Sequence, residues 1–112
     1  MVTQKDFKFK EILRELAAEF FSRESNRQSL ITITDIELRS RNQTARILMT
    51  VLPEDKEAVA LEFAHRQLSN FREYVKERSR IGRIPFFEVA IDIGEKNRQK
   101  IDEIEKKLEL PK

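Results

Sequence analysis

The chain has 112 residues, with 22 Lys and Arg against 20 Asp and Glu, so its formal net charge is only +2 and predicts no partner by itself. It has no cysteine, which excludes disulfides, thiolate catalysis and Cys-ligated zinc and fits a reducing compartment. No apolar run approaches the ~20 residues that span a bilayer and no signal-peptide core follows Met1, so a cytoplasmic protein with no membrane partner is expected.

At 39% apolar residues with eight Phe, the sequence supports one domain over residues 1–112 and is too short for two. Asp6 to about Ser22 reads as a helix, because Phe9, Ile12, Leu13, Leu16, Ala17, Phe20 and Phe21 form one apolar stripe. Thr3 and Asp6 have the spacing of a capping pair. Arg23 to Ser29 is polar and reads as a loop. Leu30 to Leu38 is rich in β-branched residues and reads as a strand. Its apolar alternation changes phase between Ile33 and Ile36, which predicts a β-bulge near Thr34-Asp35. After a polar turn, Arg39 to Gln43, a second strand runs from Thr44 to Leu52 and completes an antiparallel hairpin. Ala45, Ile47, Met49 and Val51 share one of its faces, and Thr44, Arg46 and Thr50 should leave the other at least half solvated.

Pro53 suits the first position of a helix whose positive end Glu54, Asp55 and Glu57 complement. Ala60, Ala64, Leu68, Phe71 and Val75 keep one face apolar for nearly the whole stretch to Arg80. Unbroken, that helix would be roughly 42 Å long at 1.5 Å per residue, whereas a domain of this size is only about 30–35 Å wide. A bend is therefore expected, at Ser69-Asn70, whose side chains compete for backbone hydrogen bonds. Gly82 and Pro85 end the helical stretch. Phe86 to Ile93 alternates as a third strand, with Phe87, Val89, Ile91 and Ile93 on one face. A last helix from about Asn97 to Leu108 carries a thin stripe of Ile101, Ile104 and Leu108 and should pack loosely.

Charge is unevenly distributed along this order. Residues 65–83 hold six basic and two acidic groups, whereas no other quarter of the chain exceeds +1. Arg66, Arg72, Lys76, Arg78, Arg80 and Arg83 lie on or beyond the expected bend. Spacing alone leaves two readings of them: a phosphate-binding face fed by helix-start amides, or a solvated face paired with Glu73 and Glu77. Phe86 and Phe7 are the best candidates for exposed rings, and Phe71 and Tyr74 are read as core. An enzyme is not expected. His65 is the one near-neutral base, both glycines are isolated, and the acidic pairs lack metal-ligand spacing, so no metal, cofactor or small-molecule substrate is expected.

The ordered set of motifs resembles ribosome-binding factor A, a family of bacterial small-subunit maturation factors. The similarity lies in Ile31 to Leu38 followed by Ala45-Arg46-Ile47, in Phe71 through Arg83-Ile84-Pro85, and in Phe86 to Ile93 with Asp92 before a terminal helix. With the first helix it spans about residues 6–108. It implies an α+β fold of KH type II form, order α-β-β-α-(kink)-α-β-α, with a three-stranded sheet and helices on one face. It also implies that Leu68-Ser69-Asn70 stands where the family has an interhelical Ala-x-Gly kink. Asn70 would take the left-handed backbone, because Asn tolerates it best after Gly. By the resemblance, the chain is a cytoplasmic monomer that binds the immature small (30S) ribosomal subunit through 16S rRNA and assists late rRNA processing without catalysis. Ser69 and Asn70 would set the kink, and Arg66, Arg72, Lys76, Arg78, Arg80 and Arg83 would contact phosphates. Arg39, Arg41 and Arg46 would form a second patch. The alternative is a KH-like protein-interaction module whose basic segment docks an acidic partner.

Overall fold

The computed structural model describes residues 4–24 and 29–109. Its elements are α1 (Gln4–Glu24), β1 (Leu30–Arg39), β2 (Thr44–Leu52), a single 3-10 turn (Glu54–Lys56), α2 (Glu57–Arg66), α3 (Leu68–Arg78), β3 (Phe86–Ile91) and α4 (Ile93–Glu109). The expected capping pair lies partly outside the described residues, since Thr3 is not among them.

The sheet has the order β1-β2-β3, with β1 antiparallel and β3 parallel to the central strand. On the covered face of β2, Ala45, Ile47 and Met49 are fully buried and Val51 nearly so. They meet Ile31, Ile33 and Ile36 of β1 and the inward stripes of the first three helices: Leu13, Ala17, Phe20 and Phe21, then Ala60 and Ala64, then Phe71 and Val75. Ile12, expected in the first stripe, is largely exposed at its edge. Thr50 is a further departure, buried rather than solvated, because α4 and the Glu54–Lys56 turn cover that end of β2. Small residues on α2 let it lie close over β2 and β3. The larger Phe71 and Val75 fill the wider space between α3 and α1, where Phe20, Phe21, Phe71 and Phe87 stack in tilted and edge-on pairs 4.8–5.7 Å apart.

The expected bulge is present. Pairing shifts between Ile33 and Asp35, which leaves Thr34 as the extra residue. A bulge re-aims a side chain, and here the Thr34 hydroxyl donates to Asp92 Oδ2 at 2.5 Å. Asp92 Oδ1 accepts the Glu95 amide at 3.0 Å, so Asp92 caps α4 directly after the strand. The last helix therefore starts at Ile93, not near Asn97, and Ile93 belongs to it rather than to β3. Lys96 anchors this first turn, with its ammonium 3.0 Å from Glu54 and 2.9 Å from Glu57. Lys100 adds a second contact to Glu54 at 3.5 Å, while Ile101, Ile104 and Leu108 stay exposed. The radius of gyration, 15.8 Å, accordingly exceeds the ~13 Å of a compact chain of this length.

The long helical stretch differs from expectation at both its start and its bend. Pro53 precedes the 3-10 turn, and the α-helix begins only at Glu57. The bend falls at Gln67, where φ −86° and ψ −2° replace α-helical values and one amide is shared between the carbonyls of Phe63 and Ala64. Asn70 is an ordinary α3 residue without the left-handed backbone; its amide donates to Gln67 Oε1 at 3.0 Å across the joint. The Phe71 amide still bonds the Gln67 carbonyl, so direction changes without the chain reversing. The two helices thus act as one crossover, and β3 returns parallel to β2.

The Thr34 hydrogen bond holds the Asp92 carboxyl below the usual carboxylate range, with burial opposing and the Glu95 amide assisting. Because the folded-state value is depressed, the stabilisation is full above the unfolded value of about 3.9 and is lost as pH falls through the lower folded value. Asp92→Ala should cost about 1 kcal/mol, the ordinary worth of a helix cap, and remove amide protection from α4 in hydrogen exchange before any other element. Tyr74 supplies a test of opposite sign. Its hydroxyl is buried with no partner among the described residues, so Tyr74→Phe should raise stability by about 1 kcal/mol in chemical denaturation.

Candidate nucleic-acid interface

The cations expected to bind phosphate divide into those held by the protein and those left free. Arg72 is held. Its guanidinium donates to the carbonyls of Pro85 at 2.8 Å and Ile84 at 3.2 Å, and its centre lies 5.9 Å from the Phe86 ring centroid. It fastens α3 to the entrance of β3. Arg78 lies over the Tyr74 ring at 4.6 Å, a cation–π contact. Arg66 faces Glu62 at 3.6 Å one turn earlier. Arg39 faces Glu37 at 3.8 Å, and Arg46 bridges Glu37 and Glu88 at 3.9 and 3.5 Å. These exposed pairs are each worth only a few tenths of a kcal/mol, up to ~1, so an incoming phosphate could displace them cheaply.

Lys76, Arg80, Arg83 and Arg41 are exposed and make no ion pair among the described residues. The expected single cluster is therefore two places. Arg66, Ser69 and Asn70 surround the joint at Gln67, where Leu68 turns inward against the core and leaves Ser69 and Asn70 at the surface. Arg80 and Arg83 lie past the other end of α3, about 16 Å further along at 1.5 Å per residue. There they meet Arg41, which the sequence placed in a second patch.

The meeting place is an open groove of about 500 Å³ between the first turns of α1, the β1–β2 turn and the α3–β3 loop. Lys5, Lys8, Arg41, Arg80 and Arg83 line it, facing the single carboxylate of Asp6, with Phe9, Ile12 and Ile81 among its apolar parts. Asp6 accepts a hydrogen bond from Asn42 at 2.9 Å, which ties the hairpin turn to α1. Ser40, Arg41 and Asn42 all have positive φ (54°, 56° and 67°), an arrangement that costs a non-glycine residue roughly 1 kcal/mol or more each. The Phe86 amide bonds the Gln43 carbonyl at 2.8 Å, so the strained turn and the start of β3 are joined as well.

Lys5 and Lys8 escaped the sequence reading because residues 1–29 carry five acidic groups that offset six basic ones in a linear tally. Folding sorts those charges: Lys10 pairs with Asp35 and Arg14 with Glu11, while Lys5 and Lys8 stay unpaired among the described residues. Their three-residue spacing, off the apolar stripe, was the available signal. The expectation of exposed rings holds, with Phe86 77% exposed and Phe7 58%. His65 is exposed on α2, and among the described residues no three His, Cys, Asp or Glu side chains group as metal ligands. No helix among them is long and apolar enough to cross a membrane.

Arg72 makes a poor probe of ligand binding, because its removal should act on the fold. Arg72→Ala is expected to cost about 1–3 kcal/mol in chemical denaturation through the two lost carbonyl bonds, whereas Lys76→Ala should change stability by less than about 0.5 kcal/mol.

No protein-family model matches the sequence, and no curated protein matches it. Solved structures do. Ribosome-binding factor A from Thermus thermophilus superposes with a TM-score of 0.68 at 19% identity, over 76% of this chain and 92% of that one. A Thermotoga maritima protein provisionally described as a ribosome binding factor A superposes with a TM-score of 0.53 at 17% identity, over 75% of this chain and 79% of that one. At such identities the likeness establishes the fold alone: four helices and a three-stranded mixed sheet in the order α-β-β-α-α-β-α, the KH-like fold of ribosome-binding factor A.

Proposed function

We propose that this chain is a ribosome-binding factor, which binds the immature small (30S) subunit through 16S rRNA and assists late rRNA processing by binding energy alone. The observation that carries RNA binding is a set of cations with no ion pair among the described residues, Lys76, Arg80, Arg83 and Arg41, which folding gathers from separate segments onto α3 and the adjoining end of the molecule. Such charges gain most from a polyanion, because each phosphate neutralised releases condensed counterions. The shared fold with ribosome-binding factor A supports ribosomal RNA as that polyanion. On this reading the protein acts as a cytoplasmic monomer and performs no turnover. Arg66, Ser69 and Asn70 contribute contacts at the joint. Arg72 and Arg78 assist from their held positions, and Arg39 and Arg46 assist from the hairpin.

Recognition of this kind reads backbone and shape rather than base sequence, since the sheet presents no aromatic pair of the RRM type. Replacing Lys76, Arg80 and Arg83 together by Ala should weaken co-sedimentation with immature small subunits at least tenfold. It should also flatten the dependence of log affinity on log salt by about 2 to 3, close to one unit per lost phosphate contact. Unchanged co-sedimentation of a folded triple variant, or preferential capture of an acidic protein, overturns the reading.

A further inference from the structure

We propose that the groove between α1, the β1–β2 turn and the α3–β3 loop, with the neighbouring Phe86 ring, is a single-strand site that takes an unpaired stretch of the bound RNA. This rests on the RNA-binding reading and adds to it the conformation of the RNA and the place where it lies. Phosphates sit among Arg41, Arg80 and Arg83, and an adjoining base stacks on Phe86.

Four observations support it. The first is charge: five cations converge on one concavity opposite one carboxylate, and none of the five has an ion pair among the described residues, whereas most cations on the flanking surfaces have acidic partners. The second is continuity. Arg83 also lines a second hollow with Gln43, Ile84, Pro85 and Phe86, so groove and ring lie on one path. Phe86 is 77% exposed and already has the Arg72 guanidinium near it, which leaves ring surface for a base. The third is backbone strain. The three positive-φ residues at the hairpin turn cost the fold free energy, and strain of this kind persists where it positions a side chain, here Arg41 beside the groove. The fourth is Gly82. It lines the groove, yet its φ is not positive and a Cβ there would meet nothing within 4 Å, so the fold does not require a glycine. As a glycine it leaves that part of the groove wall without a side chain.

A duplex would not enter a concavity of about 500 Å³, which is within the size range of sites for small ligands. A flexible single strand would, because its unstacked bases are free to leave the backbone axis.

The test uses the full-length protein with a 12-nucleotide single-stranded RNA carrying 2-aminopurine, and with a duplex of the same sequence, read by anisotropy and fluorescence. Gly82→Glu, which adds a negative charge where a Cβ meets nothing within 4 Å, should weaken single-strand binding tenfold or more. Phe86→Ala should weaken it about fivefold, the low end of what base–aromatic stacking contributes, and abolish the 2-aminopurine quenching seen with the wild type. Arg41→Gly relieves a strained backbone and removes a charge, so it should leave the melting temperature unchanged or raised while affinity falls. Opposite signs on stability and affinity cannot arise from general unfolding. If the wild type binds RNA or small subunits and these folded variants bind the single strand equally well, the groove is wrong and the RNA reading stands. Stronger competition by poly-glutamate than by RNA overturns the site as a nucleic-acid site. A wild type that binds neither RNA nor small subunits removes the functional reading, and this proposal with it.

Discussion

One apolar stripe has to stay continuous along a helix that changes direction, and most of the architecture follows from that constraint. Ala60 and Ala64 bring α2 close over the sheet, while Phe71 and Val75 carry the contact on to α1. Gln67 absorbs the change through a single tightened turn whose hydrogen bonds are still made. Because the chain bends without reversing, β3 must return parallel to β2, and the α3–β3 loop must arrive at the same end of the sheet as the β1–β2 turn. That convergence brings Arg80 and Arg83 to Arg41. The basic groove is thus a consequence of topology, and Arg72 holds the loop in place through the Ile84 and Pro85 carbonyls.

The other end of the molecule follows a different logic. A bulge turns Thr34 toward Asp92, Asp92 caps α4, and Lys96 pins the first turn to Glu54 and Glu57. After that turn nothing among the described residues covers the apolar side of α4. The charged network therefore sets where the helix starts, and packing contributes little beyond it.

The order of elements, the hairpin, the bulge and the burial of Phe71 were legible in the sequence, because apolar period and β-branched composition report them directly. The exact site of the bend was not. Ser69 and Asn70 compete for backbone hydrogen bonds, but Asn70 satisfies itself on the Gln67 side chain, and the joint moves to the residue between the two buried stripes. The start of α4 was hidden for a related reason. Asp92 with Glu95 three residues on is a local capping signature, but it falls at the end of an alternating apolar run that reads as strand through Ile93. The Thr34 bond that steadies Asp92 comes from 58 residues away. The cationic site was half legible: a linear tally finds Arg80 and Arg83, while Lys5, Lys8 and Arg41 join them only through tertiary structure. A tally also cannot show that Arg72 is engaged by backbone carbonyls.

The central claim is that the surface of α3 and the end of the molecule around Arg41, Arg80 and Arg83 face small-subunit rRNA. Photocrosslinking the protein to immature small subunits and identifying the crosslinked peptides tests it most directly. The account predicts crosslinks concentrated in residues 76–86 and in the turn around Arg41, each joined to 16S rRNA. Crosslinks confined to α4 or to α2, or joined to ribosomal proteins instead of rRNA, would contradict it.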